Sequence, residues 1–291
     1  MTFDLLLQVA LGGLLMGLIY ALVAAGLSLI FGLMDVVNFA HGELLMLAMY
    51  ATLVIWQASG LDPVLQLPIV ALLLFGVGVA IYRLLIARAL SVQFNRGMVQ
   101  IFVTFGLAIL IRGLAQFFFS GEFQSIGSSF LANKRVEVSG MFFPAPQIAA
   151  GLVCLLAFAG LLAISRTEFG KALEATREDR DAVSLVGIDR NRIFAMGWGL
   201  GAATVGIAGV MLSTFYYISP NVGANFALIA YVTVALGGFG SMLGALVAGL
   251  LIGEAEALTA LFVEPSLKQV GMFAIYMIVL MVRPSGLFGR L

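Results

Sequence analysis

The chain has 291 residues, 62% of them hydrophobic and 10% charged, with 15 basic and 15 acidic side chains. Soluble domains carry about 25% charged residues and need a polar or mixed surface, so this composition excludes a soluble fold and calls for lipid as solvent. With no net charge there is no basic surplus to meet phosphate, which excludes nucleic acid as a partner.

Met1 to Gln8 hold no Lys or Arg, and the first basic residue is Arg83. A cleaved signal peptide opens with a positive region, so the first apolar run is expected to stay as a span. Crossing the hydrocarbon takes about 20 apolar residues in a helix. Runs that meet or approach this are Leu5–Leu33, Leu44–Ala58, Val64–Ile86, Val99–Phe119, Ile148–Ile164, Ile193–Ile218, a short Phe226–Leu236, Leu243–Phe262 and Val270–Val282. The expected fold is all-α, a single transmembrane bundle over residues 1–291 with about 8–10 spans, some short or interrupted. Glycines at small-xxx-small spacing, such as Gly13 and Gly17, let helix backbones approach. Cys154, the sole cysteine, lies in an apolar run and has no partner for an internal disulfide.

Basic residues stay on the cytoplasmic side. The link after the third run carries Arg83, Arg88 and Arg96; Ser165–Arg192 carries Arg166, Lys171, Arg177, Arg180, Arg190 and Arg192; the tail carries Arg283 and Arg290. Ser120–Pro146, with one Lys–Arg pair and two glutamates, reads as outer. The C-terminus is therefore expected in the cytoplasm and, by alternation, the N-terminus outside.

Residues 166–192 form the one long polar stretch, with six acids (Glu168, Glu174, Glu178, Asp179, Asp181, Asp189) against six bases. Balanced charge argues against anionic lipid as its target. Phe169, Leu173, Val183 and Val186 recur at helical spacings, which predicts a short amphipathic helix, broken near Arg177–Asp181 and ended by Gly187. Its stripe needs cover, and a soluble partner docking on it is preferred to a solvated connector. A phosphate-binding loop needs Gly-x-x-x-x-Gly-Lys-Ser/Thr. The nearest approach, Gly170–Lys171 with Ser165 and Ala172 at the flanking positions, fails at both ends, so any ATP hydrolysis belongs to another subunit.

Ionisable groups inside spans are costly and mark candidate sites. Asp35-Val-Val-Asn38-Phe-Ala-His41-Gly-Glu43 lies between two apolar runs and reads as an interrupted helix facing protein or a water-filled path. Helix packing or capping by Asn38, His41 and Glu43 stands beside direct contact with a solute. His41 is the sole histidine, there is no His-Glu-x-x-His, and no nucleophile has a base at useful spacing; no metal, cofactor or catalytic residue is expected. Gly237-Gly-Phe-Gly-Ser-Met-Leu-Gly244 permits a tight reversal or close approach. Glu254 and Glu256 follow late in the next run, and Arg112 calls for an acidic partner from another span.

Three segments together resemble one family. Asn38-Phe-Ala-His-Gly-Glu43, Glu174-Ala-x-x-x-Asp179 through Leu185-Val-Gly-Ile188, and Gly237-Gly-Phe-Gly-Ser241 with Gly253-Glu-Ala-Glu-Ala257 look like the branched-chain amino acid permeases of ABC importers, and Arg283-Pro-Ser-Gly-Leu-Phe-Gly289 fits as well. The resemblance implies a non-enzymatic subunit of the bacterial inner membrane. It would pair with a second, similar permease, dock two ATP-binding subunits on the cytoplasmic side and receive substrate from a periplasmic binding protein. It makes residues 166–192 the coupling loop, with Glu174, Ala175, Asp179, Leu185 and Gly187 as ATPase-coupling candidates. Asn38, His41, Glu43, Gly237, Gly238 and Gly240 become candidates for the substrate path or gate. The family often has a lysine near where this chain has Ile229, which leaves urea, amides or other small polar solutes beside branched-chain amino acids. An alternative of another class is a self-sufficient, ion-coupled transporter using Asp35, Glu43, Glu254 and Glu256.

Overall fold

The computed structural model describes residues 3–35, 37–91, 96–127, 129–138, 140–179 and 182–289. Arg180, Asp181 and Arg290, which entered the charge argument above, lie outside the described residues, as does the side chain of Arg96. In chain order the helices are α1 (Phe3–Met34), α2 (His41–Ser59), α3 (Pro63–Ile81), α4 (Ala87–Ser91), α5 (Arg96–Phe119), α6 (Ala145–Ser165), α7 (Glu168–Glu178), α8 (Ala182–Leu185), α9 (Arg190–Leu212), α10 (Val222–Gly237), α11 (Met242–Phe262) and α12 (Lys268–Val282). A π turn at Tyr82–Ile86 carries α3 into α4. Two short strands, β1 (Arg135–Val138) and β2 (Met141–Pro144), pair antiparallel before α6.

Among the described residues eight helical stretches are long and apolar enough to cross a membrane, and α10 is a shorter apolar helix. The protein is a multi-pass membrane protein built as a helical bundle. Leu156, Met281 and Phe102 are 72%, 83% and 67% exposed, and such surfaces are solvated by lipid or by another membrane chain rather than by water. α1 and α9 are buried along most of their length; α5 and α12 lie at the periphery.

α1 forms the axis. Its 32 residues extend about 48 Å, and it runs antiparallel to α11. A Cβ on Gly17 would stand 2.8 Å from the Gly249 carbonyl oxygen and 2.9 Å from Leu250 Cα, so the crossing exists because a glycine is there. The ends of the other helices are set by side chains. Asp62 accepts from Val64 N at 2.9 Å to start α3, and its other oxygen accepts from Phe130 N at 2.5 Å, pinning the 120–146 loop. Thr167, Asp189 and Ser241 cap α7, α9 and α11 in the same way.

The two ends of the bundle are distinct. Gln8 Nε2 donates to Phe142 O at 2.9 Å, so the start of α1 lies with the hairpin. At the opposite end Arg177 Nη1 donates to Gly240 O at 3.2 Å, and Leu287 N and Phe288 N donate to Leu236 O and Gly237 O at 2.8 and 3.0 Å. The insert, the Gly237–Gly240 turn and the C-terminal segment therefore share one face, opposite the N-terminus and the hairpin.

The insert departs from its expected form in one respect. α7 ends at Glu178, α8 follows from Ala182, and Gly187 (φ +83°) ends the unit in the left-handed region. The apolar stripe expected to await a soluble partner is, however, largely covered by the chain itself. Leu173 and Val183 are buried, Phe169 and Ala172 are half-buried, and Leu173 and Leu33 both crowd Gly197 of α9. α1, α6 and α9 pack against α7 and take up its part of that stripe. Among the described residues of the insert, Leu185 and Val186, 88% and 75% exposed, are the large apolar side chains left open.

Candidate functional site

The site forms where the chain leaves α1 and begins α2. His41 Nε2 sits 2.9 Å from the carbonyl oxygen of Val23, and Val23 lies eleven residues before the end of α1, about 16 Å of helix. Residues 37–40 thus run back alongside α1, and α2 starts deep in the bundle rather than at a surface. Asp35, in the left-handed region at φ 55°, makes the reversal and is exposed.

Backbone released by the break must find partners, because no water reaches hydrocarbon. Asn38 Oδ1 accepts from Ala40 N at 3.0 Å, Asn38 O accepts from His41 N at 3.1 Å and from the Tyr231 hydroxyl at 3.1 Å, and Leu44 N donates to Ala40 O at 3.1 Å. Asn38, His41 and Glu43 are all buried, with Asn38 Nδ2, His41 Nδ1 and Glu43 Oε2 left without partners among the described residues. Packing and capping thus account for one side of Asn38 and of His41, while each keeps a polar atom open.

α10 also begins here. Its first turn meets the first turn of α2, where a Cβ on Gly42 would run into the Gly223 carbonyl oxygen, and one on Gly223 would stand 2.6 Å from Glu43 Oε2. Neither helix has a side-chain cap. Two positive helix ends consequently converge on the Glu43 carboxylate, an arrangement that favours negative charge. The acidic partner expected for Arg112 is this same Glu43: Arg112 Nε donates to Glu43 Oε1 at 3.1 Å and Nη2 donates to the same oxygen. The Arg112 side chain is 36% exposed against 2% for Glu43. Intramembrane arginines pair with acids and turn toward a bundle interior or a water-filled cavity, so Arg112 marks this side of α5 as a candidate border of the path. Phe39 packs between Phe105 and Tyr231, with ring centroids at 6.3 and 5.5 Å.

An apolar cavity of about 250 Å³ adjoins the break, lined by Leu27, Phe31, Val37, Phe39 and Tyr231 among others. Among the described residues no group of three His, Cys, Asp or Glu side chains could hold a metal. The glycine candidates sit elsewhere. Gly237, Gly238 and Gly240 lie at the face shared by the insert and the C-terminal segment, not beside Glu43. Gly238 (φ +98°) abuts Gly289, and Gly240 (φ +77°) abuts the Arg177 guanidinium. The coupling candidates Glu174, Asp179, Leu185 and Gly187 are exposed on that face and Ala175 is half-buried. The candidates therefore fall into two places, an interior break and a surface joint linked by α1 and α10.

A family model described as "Branched-chain amino acid transport system / permease component" matches residues 9–282. The chain belongs to that permease family. High-affinity branched-chain amino acid transport system permease protein LivH of Escherichia coli (strain K12) is 30% identical over 98% of this chain and 96% of its own length. BraD of Pseudomonas aeruginosa, named in the same words, is also 30% identical, with the same coverage of both chains. LivM of Escherichia coli (strain K12), a permease protein of that system, matches 48% of this chain at 31% identity and 33% of its own length. No solved structure matches. The permease carries residues that sequence reasoning passed over. Gly223 and Tyr231 look like ordinary members of an apolar helix, and Tyr20, which donates to Glu256 Oε2 at 2.7 Å, sits in an unbroken apolar run. A lone tyrosine or glycine in such a run gives no periodic signal; only the neighbour supplied by folding makes it polar machinery.

Proposed function

We propose that this permease is the membrane subunit of an ATP-driven importer of branched-chain amino acids, paired with a second permease of the same family. Two ATP-binding subunits dock on its cytoplasmic face, and a binding protein delivers substrate from outside. The observation that carries this reading is the family match over residues 9–282, together with relatives named for branched-chain amino acid transport over nearly their whole length. The match to LivM as well as to LivH supports a heteromeric pair. No phosphate-binding loop occurs in the sequence, so the hydrolytic chemistry falls to partners.

In this reading residues 166–192 couple ATP hydrolysis to transport, and the face holding the insert and C-terminal segment is cytoplasmic. Exposed Leu185 and Val186 offer the apolar contact, with Glu174 and Asp179 as charged contacts. Arg177, bonded to Gly240 O, would pass a push on α7 to the turn between α10 and α11, and so along α10 to the interior break. The test is reconstitution of the permease pair with its ATP-binding subunits and binding protein in liposomes. Leucine uptake that requires ATP and all partners is expected. Glu174→Lys and Gly187→Val should leave the permease in the membrane while ATP hydrolysis no longer drives uptake. Leucine uptake by the permease alone would support the ion-coupled class instead, and normal uptake by both variants would remove the coupling assignment.

A further inference from the structure

We propose that Glu43 and Arg112 form an exchangeable ion pair that receives the zwitterionic head of an amino acid in transit, the substrate carboxylate taking Arg112 and its ammonium taking Glu43. This rests on the reading above that the solute is an amino acid.

The resting pair is built asymmetrically. Two guanidinium hydrogen bonds, from Nε and Nη2, both go to Glu43 Oε1, leaving Glu43 Oε2 buried with no partner among the described residues. A pair serving stability alone would fill its lone pairs, because breaking even with desolvation demands that remaining groups be satisfied. The anion seat is overdetermined: the guanidinium and the first turns of α2 and α10 all favour a carboxylate at one spot. At rest Glu43 occupies it. A free amino acid carries a carboxylate that can replace Glu43 there and an ammonium that can satisfy the displaced Glu43. The exchange conserves charge, since a neutral zwitterion joins a neutral pair and each ion ends beside an opposite one. No proton moves and no bond is made.

Access and shape agree. Arg112 is the partly exposed member of the pair, on the side of α5 that it marks as a candidate border of the path. Phe39, Phe105 and Tyr231 surround the break as an apolar wall for an aliphatic side chain. A urea or a simple amide has neither carboxylate nor ammonium and cannot make the exchange, so the pair favours amino acids over those solutes.

The experiment uses the reconstituted transporter with radiolabelled leucine. A merely structural pair obeys a known pattern: removing one partner strands a buried charge, and removing both relieves it. Glu43→Gln and Arg112→Gln alone should each lower uptake about ten-fold or more. The combined variant should stay as low, with membrane level and bound ATP-binding subunits unchanged. Recovery of the combined variant to within about two-fold of the parent would overturn the proposal. A second measurement keeps it falsifiable if a variant assembles poorly. Phe105→Cys puts a thiol beside Phe39 and about two helical turns from Arg112, on the side of α5 that the proposed path wets, while the sole native cysteine, Cys154, is fully buried. Leucine should slow alkylation of that thiol by a water-soluble thiosulfonate, and Arg112→Gln should abolish the protection. No labelling, or labelling that leucine leaves unchanged, overturns the proposal. Failure of the parent complex to import any amino acid would instead remove the functional reading on which it rests.

Discussion

The side chains of His41 and Glu256, buried inside the bundle, are each held by a single neighbour, which makes individual residues consequential. Glu256 receives one hydrogen bond from Tyr20, while its Oε1 has no partner among the described residues. Removing the donor strands a second oxygen in a medium that cannot replace it, at about 1–3 kcal/mol. Tyr20→Phe should therefore lower the melting temperature of the detergent-purified protein clearly. Glu256→Gln, whose amide oxygen still accepts from Tyr20, should stay close to the parent. A Tyr20→Phe/Glu256→Leu double variant should recover most of the loss, because both polar groups then leave together. Equal melting of all four proteins would show that water or lipid headgroups reach the pair. The sequence identified Glu256 as a carboxylate within a span, but not Tyr20 as its partner: the two are 236 residues apart, and that distance carries no local pattern.

Helices in this bundle approach where side chains are missing, so the element scale turns on glycines whose neighbours are backbone. Gly17 faces the backbone of Gly249 and Leu250, which cannot rotate away as a side chain could, whereas a Cβ on Gly12 would meet nothing within 4 Å. Gly17→Val should separate α1 from α11 and sharply reduce folded protein after detergent extraction, measured by size-exclusion chromatography. Gly12→Ala should leave it unchanged or better, since alanine is favoured over glycine in a helix interior by about 1 kcal/mol. Spacing alone exposed Gly13 and Gly17 as a packing pair, yet composition could not say that α11 is the partner. The same contrast holds for the insert. Its amphipathic helix and its stop at Gly187 are local properties, readable from periodicity and a glycine. That Leu173 is spent on α1 and α9, leaving Leu185 and Val186 open, depends on how α7 returns to the bundle. The interrupted segment was legible for the same local reason, polar residues between two apolar runs, while the convergence of α2 and α10 on Glu43 was not: α10 has no charged residue to announce it.

At the scale of the whole molecule, the fold sorts its charges into two ends before any membrane is considered. The hairpin side carries Lys134 and Arg135 beside the start of α1, and the opposite side gathers the insert and Arg283 with the C-terminal segment, together with α4 and its Arg88, whose neighbours Ala87 and Leu90 line a cavity with Arg190 and Asn191. The sequence reached the same division by counting basic residues in links, and contacts between segments far apart in the chain now join them independently of that rule. The proposed orientation puts the insert's end in the cytoplasm, because translocating each arginine or lysine is disfavoured and the insert holds the larger number. Single cysteines test this directly. Lys134→Cys and Glu168→Cys alter exposed positions on opposite ends, and buried Cys154 stays silent in both. In intact cells a membrane-impermeant maleimide should label Lys134→Cys and spare Glu168→Cys; after the membrane is opened both should react. The opposite pattern would turn the protein over and remove the insert as a docking surface for cytoplasmic ATP-binding subunits. Labelling of both in intact cells would contradict the bundle itself, since the hairpin and the insert are joined by α6, a continuous apolar helix of 21 residues that spans about 31 Å and so matches the hydrocarbon thickness.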